Sequence, residues 1–131
     1  MSTIEEGLYI WATGNGTIST LISTRFYPDV LPQKPTLPAV VYRRVGSEIE
    51  MAHDGPLDLE YARFRFHCYG STPKIARSVA GAIKSELNGL RATIGLVALH
   101  GAFFITQQSD FEDVTGVSRS IVDFNLVFKT S

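Results

Sequence analysis

Apolar and polar positions alternate most cleanly over residues 59–69, where Ala62, Phe64, Phe66 and Cys68 fall on one side and Tyr61, Arg63, Arg65, His67 and Tyr69 on the other. Successive side chains of a strand point to opposite faces, so this pattern predicts a strand with one core face and one polar face. Residues 118–129 repeat it, with Val122, Phe124, Leu126 and Phe128 set against Asp123, Asn125, Val127 and Lys129. Residues 39–45 and 96–108 read as strands from their β-branched and aromatic content, although valines occupy both faces of the first.

Two segments switch to helical spacing. Ala76, Val79, Ala80, Ile83, Leu87 and Leu90 recur every three to four residues, behind Thr72 as cap and Pro73 at the first helical position, and Asn88-Gly89 closes the run. Gly81 inside it is unfavourable by about 1 kcal/mol relative to alanine, which predicts a close backbone approach at that point. Near the N-terminus Ile4, Leu8 and Trp11 form a second stripe. Ser2 and Thr3 stand three residues before Glu5 and Glu6 as capping boxes, and Gly14-Asn15-Gly16 stops the helix, with Ile18, Leu21 and Ile22 adding one buried turn. Pro28, Pro32, Pro35 and Pro38 keep a long regular element out of residues 25–38. The order helix, strand, strand, helix, strand, strand predicts an α+β fold. Its expected form is a mainly antiparallel sheet of four to five strands with two helices on one face, in one domain over residues 1–131.

Composition narrows the function classes. Hydrophobic residues at 44% and charged residues at 19% suit a cored domain rather than a disordered chain. Twelve Lys plus Arg against thirteen Asp plus Glu lack the basic excess of a phosphate binder, so no sequence-specific nucleic-acid role is expected. The single Cys68 excludes an intrachain disulfide and a thiolate-built zinc site. Acids in place of Lys or Arg at the N-terminus argue against a targeting peptide, and the longest apolar run, residues 94–105, is too short to span a bilayer.

Candidate chemistry is sparse. His67 and Cys68 are consecutive in a strand, so their side chains leave opposite faces and do not share an ion. His53, Asp54 and Asp58 lack EF-hand spacing, and His100 stands alone. Gly14-Asn15-Gly16 follows a helix where a phosphate loop follows a strand, and no serine sits in a nucleophile elbow. No catalytic residue, metal or cofactor is expected. Charge, by contrast, is segregated: residues 46–60 hold Glu48, Glu50, Asp54, Asp58 and Glu60 with no Lys or Arg, as a hairpin tip or loop, while Arg43, Arg44, Arg63 and Arg65 fall on two candidate strands expected to line them up on one sheet face. Pairing of these arginines with acids on neighbouring strands, such as Asp123, is one expectation. The other is a subunit interface formed by Glu48, Glu50, Asp54, Asp58, Arg43, Arg63 and Arg65, an unlike-to-unlike contact that makes a ring if its rotation closes.

Several stretches in order resemble the siphophage tail-completion family, the tail terminators or tail-to-head joining proteins of phages, prophages and gene transfer agents. They are Arg25-Phe26-Tyr27-Pro28, Leu37-Pro38-Ala39-Val40-Val41-Tyr42, Asp54-Gly55-Pro56, residues 62–90 with their Asn88-Gly89 stop, and Ser120-Ile121-Val122-Asp123-Phe124. The resemblance implies an α+β virion protein without enzymatic activity or cofactor. Its implied role is to cap the head-proximal end of the tail tube, stop its polymerisation and join it to the head. The implied partners are copies of itself in a hexameric ring, the major tail-tube protein and the head-completion or connector protein, and the implied location is the virion, after assembly in the host cytoplasm. Trp11 and the His53 segment match nothing in the family's pattern. A small peptide- or ligand-binding α+β module without catalysis is the alternative from another class.

Overall fold

The computed structural model describes residues 4–29, 36–51, 58–94, 97–112 and 117–129. Helices α1 (Ile4–Gly14) and α2 (Gly16–Ile22) lead into strand β1 (Phe26–Pro28), then β2 (Ala39–Met51), β3 (Asp58–Gly70), helix α3 (Pro73–Leu87), β4 (Ala92–Ile94), β5 (Val97–Glu112) and β6 (Val117–Lys129). The α+β class agrees with the sequence reading, but the architecture is richer: three helices and a six-stranded mixed sheet in the order β1-β2-β3-β6-β5-β4. The sheet is mixed because β1 pairs parallel to β2, with Phe26 opposite Val40, while every other pair is antiparallel.

The three elements beyond the expected count, of which α2 is the buried turn expected around Ile18 and Ile22, have local causes. Asn15, read only as part of a helix stop, also starts α2, its side-chain oxygen accepting from the backbone N–H groups of Thr17 and Ile18. Strand β1 lies inside the proline-rich segment and fits because only its last residue is a proline, on a sheet edge. Strand β4 is three residues long and too short to show periodicity. At α3 the reading holds, with Thr72 accepting from Ile75 N–H, Pro73 in the first turn and Gly89 in a left-handed conformation beyond the end. The Ser2 and Thr3 capping boxes lie outside the described residues.

One sheet face carries all the helices. Phe64, Phe66 and Cys68 of β3, Val122, Phe124 and Leu126 of β6, and Val40 of β2 are fully buried there, against Leu8 of α1, Ile18 and Ile22 of α2 and Val79, Ile83 and Leu87 of α3. Phe66 sits at the centre, with ring centroids 6.1 Å from Phe124 and 6.2 Å from Phe26. Helix α1 touches both β1 and β4, the two edges of the sheet, so the sheet curls until one helix bridges its ends. That covers two edges that would otherwise present unpaired backbone groups. The Tyr42 hydroxyl donates to the Glu5 carbonyl at 2.9 Å and fastens α1 to β2; burial first, then the charges of Glu5 and Asp29, push its pKa up to about 12.

The curl comes from bulges, which bend a strand and increase its twist. Register shifts fall between Arg44 and Gly46 in β2 and, in β5, between Leu99 and Gly101 and between Phe104 and Thr106. Each shift moves subsequent side chains to the other face, which explains why residues 96–108 show no sustained alternation; residues 39–45 precede the β2 shift and show none because Ala39, Val40, Val41 and Tyr42 are buried on both faces.

Gly81 corrects one expectation. A Cβ built there meets nothing within 4 Å, so no backbone passes close and the glycine is only a weak point in α3. Gly81→Ala is expected to stabilise the protein by about 1 kcal/mol, through helix propensity alone. Chemical denaturation showing no gain would indicate that this face of α3 is constrained after all.

Candidate assembly interface

The sheet face opposite the helices is bare among the described residues, and the odd-numbered residues of β3 and β6 line it. Like charges meet at its middle: Arg43 of β2 stands directly opposite Arg65 of β3, two residues from Arg63. The compensating group is Asp123, opposite Arg65 on β6. Its carboxylate is only 2% exposed and accepts four hydrogen bonds. Arg63 donates from Nε at 3.2 Å and Nη2 at 2.7 Å, and Arg65 from Nε at 3.0 Å and Nη2 at 3.1 Å. Burial alone would raise the Asp123 pKa, but the bonds and charges of Arg65 and Arg63 outweigh it and hold the group below its ordinary value. Of the four arginines expected to pair with acids such as Asp123, Arg63 and Arg65 do so with Asp123 itself.

Arg44 does not belong to this set. Adjacent strand residues leave opposite faces, and Arg44 lies on the helix side. There it bonds Glu60 at 2.6 Å and Glu5 at 3.2 Å, with its guanidinium over the rings of Phe64 and Phe128. Glu60, which the sequence places both at the end of the acidic segment and at the start of the 59–69 strand, sits within β3 beside Arg44. Of the two alternatives for the acidic segment, a hairpin or a loop, its described residues take the hairpin. Glu48 and Glu50 are in β2 and Asp58 begins β3, paired with Met51, so the acids occupy the outer ends of two long strands. Asp54 and His53 lie outside the described residues.

Arg43 donates from Nη2 to the Asp29 carbonyl at 3.0 Å, a neutral acceptor that leaves its charge uncompensated by that bond. His67 is half-buried on the same face, stacked on Tyr69 with centroids 6.4 Å apart, and neither ring nitrogen has a partner among the described residues. Burial first, then Arg119, Arg43 and Arg65, lower its pKa, so the ring stays neutral at pH 7. Cys68 points the other way into the core, where burial raises its thiol pKa. No group of three or more His, Cys, Asp or Glu side chains suited to a metal occurs among the described residues, and no helix there is long and apolar enough to cross a membrane.

Two concavities escaped the sequence reading. Arg65, Thr106, Gln108, Ile121 and Asp123 line a polar cleft of about 80 Å³ on the bare face. Thr106 and Gln108 reach it only because the bulge after Phe104 turns them from the core side, and no sequence signal marks that bulge. An apolar groove of about 420 Å³ lies between α1 and the β1 edge, lined by Tyr9, Ile10, Pro28 and Tyr42 and rimmed by Glu5 and Glu6. Tyr9 and Ile10, at 40% and 55% exposure, were its only visible sign, as apolar residues on the outer face of α1.

Comparison with known proteins adds a family to this geometry. Residues 6–129 match a family described as tail completion protein gp17. The fold is similar to that of a chain in the solved virion of a native gene transfer agent particle, with a TM-score of 0.68 at 14% identity, covering 95% of this chain and 94% of that one. No curated protein matches the sequence.

Proposed function

This chain belongs to the tail completion protein gp17 family, and from that premise we propose that it caps the head-proximal end of the tail tube of a phage or gene transfer agent, stops tail polymerisation and joins tail to head. It acts in the particle as a hexameric ring, against the major tail-tube protein on one side and the head-completion or connector protein on the other. Family membership over nearly the whole chain carries this reading. It is a structural role in the virion, with no substrate and no cofactor. The bare face supports contact between unlike surfaces: Arg43, Arg63 and Arg65 cluster there, while Glu48, Glu50 and Asp58 stand at the far end of the β2–β3 arm, residues 46–60, whose sequence also holds Asp54. Opposite charges on different parts of one protomer favour head-to-tail association, the kind of contact that makes a ring when its rotation closes.

Deleting the gene is expected to leave tails that are overlong and unattached to heads by electron microscopy, with antibody label on intact particles at the head-proximal end of the tail. Normal, head-attached tails in the deletion strain would sink the reading. Glu48→Lys with Glu50→Lys is expected to block joining while the variant still folds. The groove beside α1 favours a second reading, a peptide- or ligand-binding module, because its volume falls within the range of small-molecule sites. A deletion that leaves tails normal would leave that reading standing.

A further inference from the structure

The polar cleft on the bare face is rich in hydrogen-bond donors. The Asp123 carboxylate is committed to four guanidinium bonds, which use Nε and Nη2 of Arg65 but leave its Nη1 unbonded among the described residues. The side chains of Thr106 and Gln108, which line the same cleft, also have no hydrogen-bond partner there. Guanidinium, hydroxyl and amide donors thus converge from β3 and β5 on one small space. Its charge is positive as well, since Asp123 answers only one of the two arginines it binds and Arg43 stands opposite Arg65. A volume of about 80 Å³ suits the end of one acidic side chain, being only a few times the roughly 30 Å³ that liquid water takes per molecule. It falls far below the roughly 300 Å³ at which small-ligand pockets begin.

We propose that this cleft, Arg65, Thr106, Gln108 and Asp123, receives a carboxylate from the acidic β2–β3 arm of a second copy of the chain. The proposal rests on the ring reading above and names the contact that holds neighbouring copies together. The arm is the occupant because it gathers acids without a single Lys or Arg between residues 46 and 60. Its described backbone stands away from the cleft of its own chain. Glu50 stands opposite Leu59, six residues from Arg65, which is about 20 Å along an extended strand. The two strands stay paired as far as Met51 and Asp58, so to that point the arm continues the sheet. A carboxylate bonded to Arg65 Nη1, Thr106 and Gln108 is a charge-assisted contact, stronger than a neutral one and specific in direction.

Gln108→Glu tests this without disturbing the fold, since Gln108 is exposed and makes no side-chain bond among the described residues. The added carboxylate repels the incoming one. The yield of head-attached tails on complementing a deletion is expected to fall about tenfold or more, with the thermal midpoint of the free protein unchanged. Combining Gln108→Glu with Glu48→Lys and Glu50→Lys, each damaging alone, is expected to restore joining by exchanging the charges. Gln108→Glu that joins tails as the parent does overturns the cleft as a contact. Loss of joining that the two lysines do not rescue overturns the arm as its occupant. A deletion strain with normal tails strikes at the ring reading itself, whereas a deletion defect together with an innocuous Gln108→Glu removes the cleft alone.

Discussion

Gly7→Ala is expected to destabilise the protein by about 2 kcal/mol, the opposite sign to the same substitution at Gly81. A Cβ at Gly7 stands 2.6 Å from the carbonyl oxygen of Ile94 and 3.1 Å from its Cγ1. The nearer atom is backbone of β4 and has no rotamer by which to withdraw. Ordinary contact therefore requires α1 and β4 to separate by nearly an ångström. Helix propensity favours alanine by about 1 kcal/mol. Overpacking costs about 1–3 kcal/mol and wins here, because the strain falls where one helix joins both sheet edges and also reaches Tyr42 and Arg44. The thermal midpoint is expected to fall by roughly 5–8 °C for a chain of this size. Equal stability of the parent and Gly7→Ala proteins would show that α1 does not sit tightly on β4.

Asp123→Asn carries the second large effect, a loss of about 2 kcal/mol at neutral pH. An amide turns hydrogens toward guanidinium groups that also donate, and it leaves Arg43, Arg63 and Arg65 without a counter-charge between them. The arginine side chains are 43% and 39% exposed and recover water, which keeps the loss below the 3–5 kcal/mol of a fully buried pair. The pH dependence follows from the sign of the shift. The Asp123 pKa is lower in the folded chain than in the unfolded one, so its contribution is present above the ordinary carboxylate value and is lost as pH falls through the depressed one. His67 is also depressed, and its contribution is present above about pH 6.5 and lost as pH falls toward its folded value. Acid titration of stability is therefore expected to show a first decline starting near pH 6.5 and a second below about pH 4. Asp123→Asn removes the second and keeps the first. An unchanged acid limb in Asp123→Asn would show that the carboxylate is not held by the two arginines in solution.

How far the interface was legible depends on which residues compose it. Arg63, Arg65 and Asp123 could be placed together because β3 and β6 keep strict alternation and lie side by side. Arg44 was misplaced beside Arg43, although the two-residue period already sends them to opposite faces. Thr106 and Gln108 were not legible, since a bulge reverses the faces of β5 just before them. Glu60 read as one more acid in a charged run, and its role emerged only when Arg44 came within 2.6 Å of it.

By itself the sequence determined the α+β class, the core faces of β3 and β6, the extent and caps of α3, and the separation of acidic from basic segments. These are local properties, set by side-chain period, capping chemistry and composition, and they need no knowledge of what lies across the fold. Tertiary structure alone decided that β1 joins the sheet in parallel, that α1 bridges both edges over Gly7, and that bulges curl the sheet and bring Thr106 and Gln108 beside Arg65. Those outcomes depend on register and on contacts between residues far apart in the chain. A one-residue shift in pairing exchanges the two faces of a strand, and the linear order of residues carries no mark of where such a shift falls.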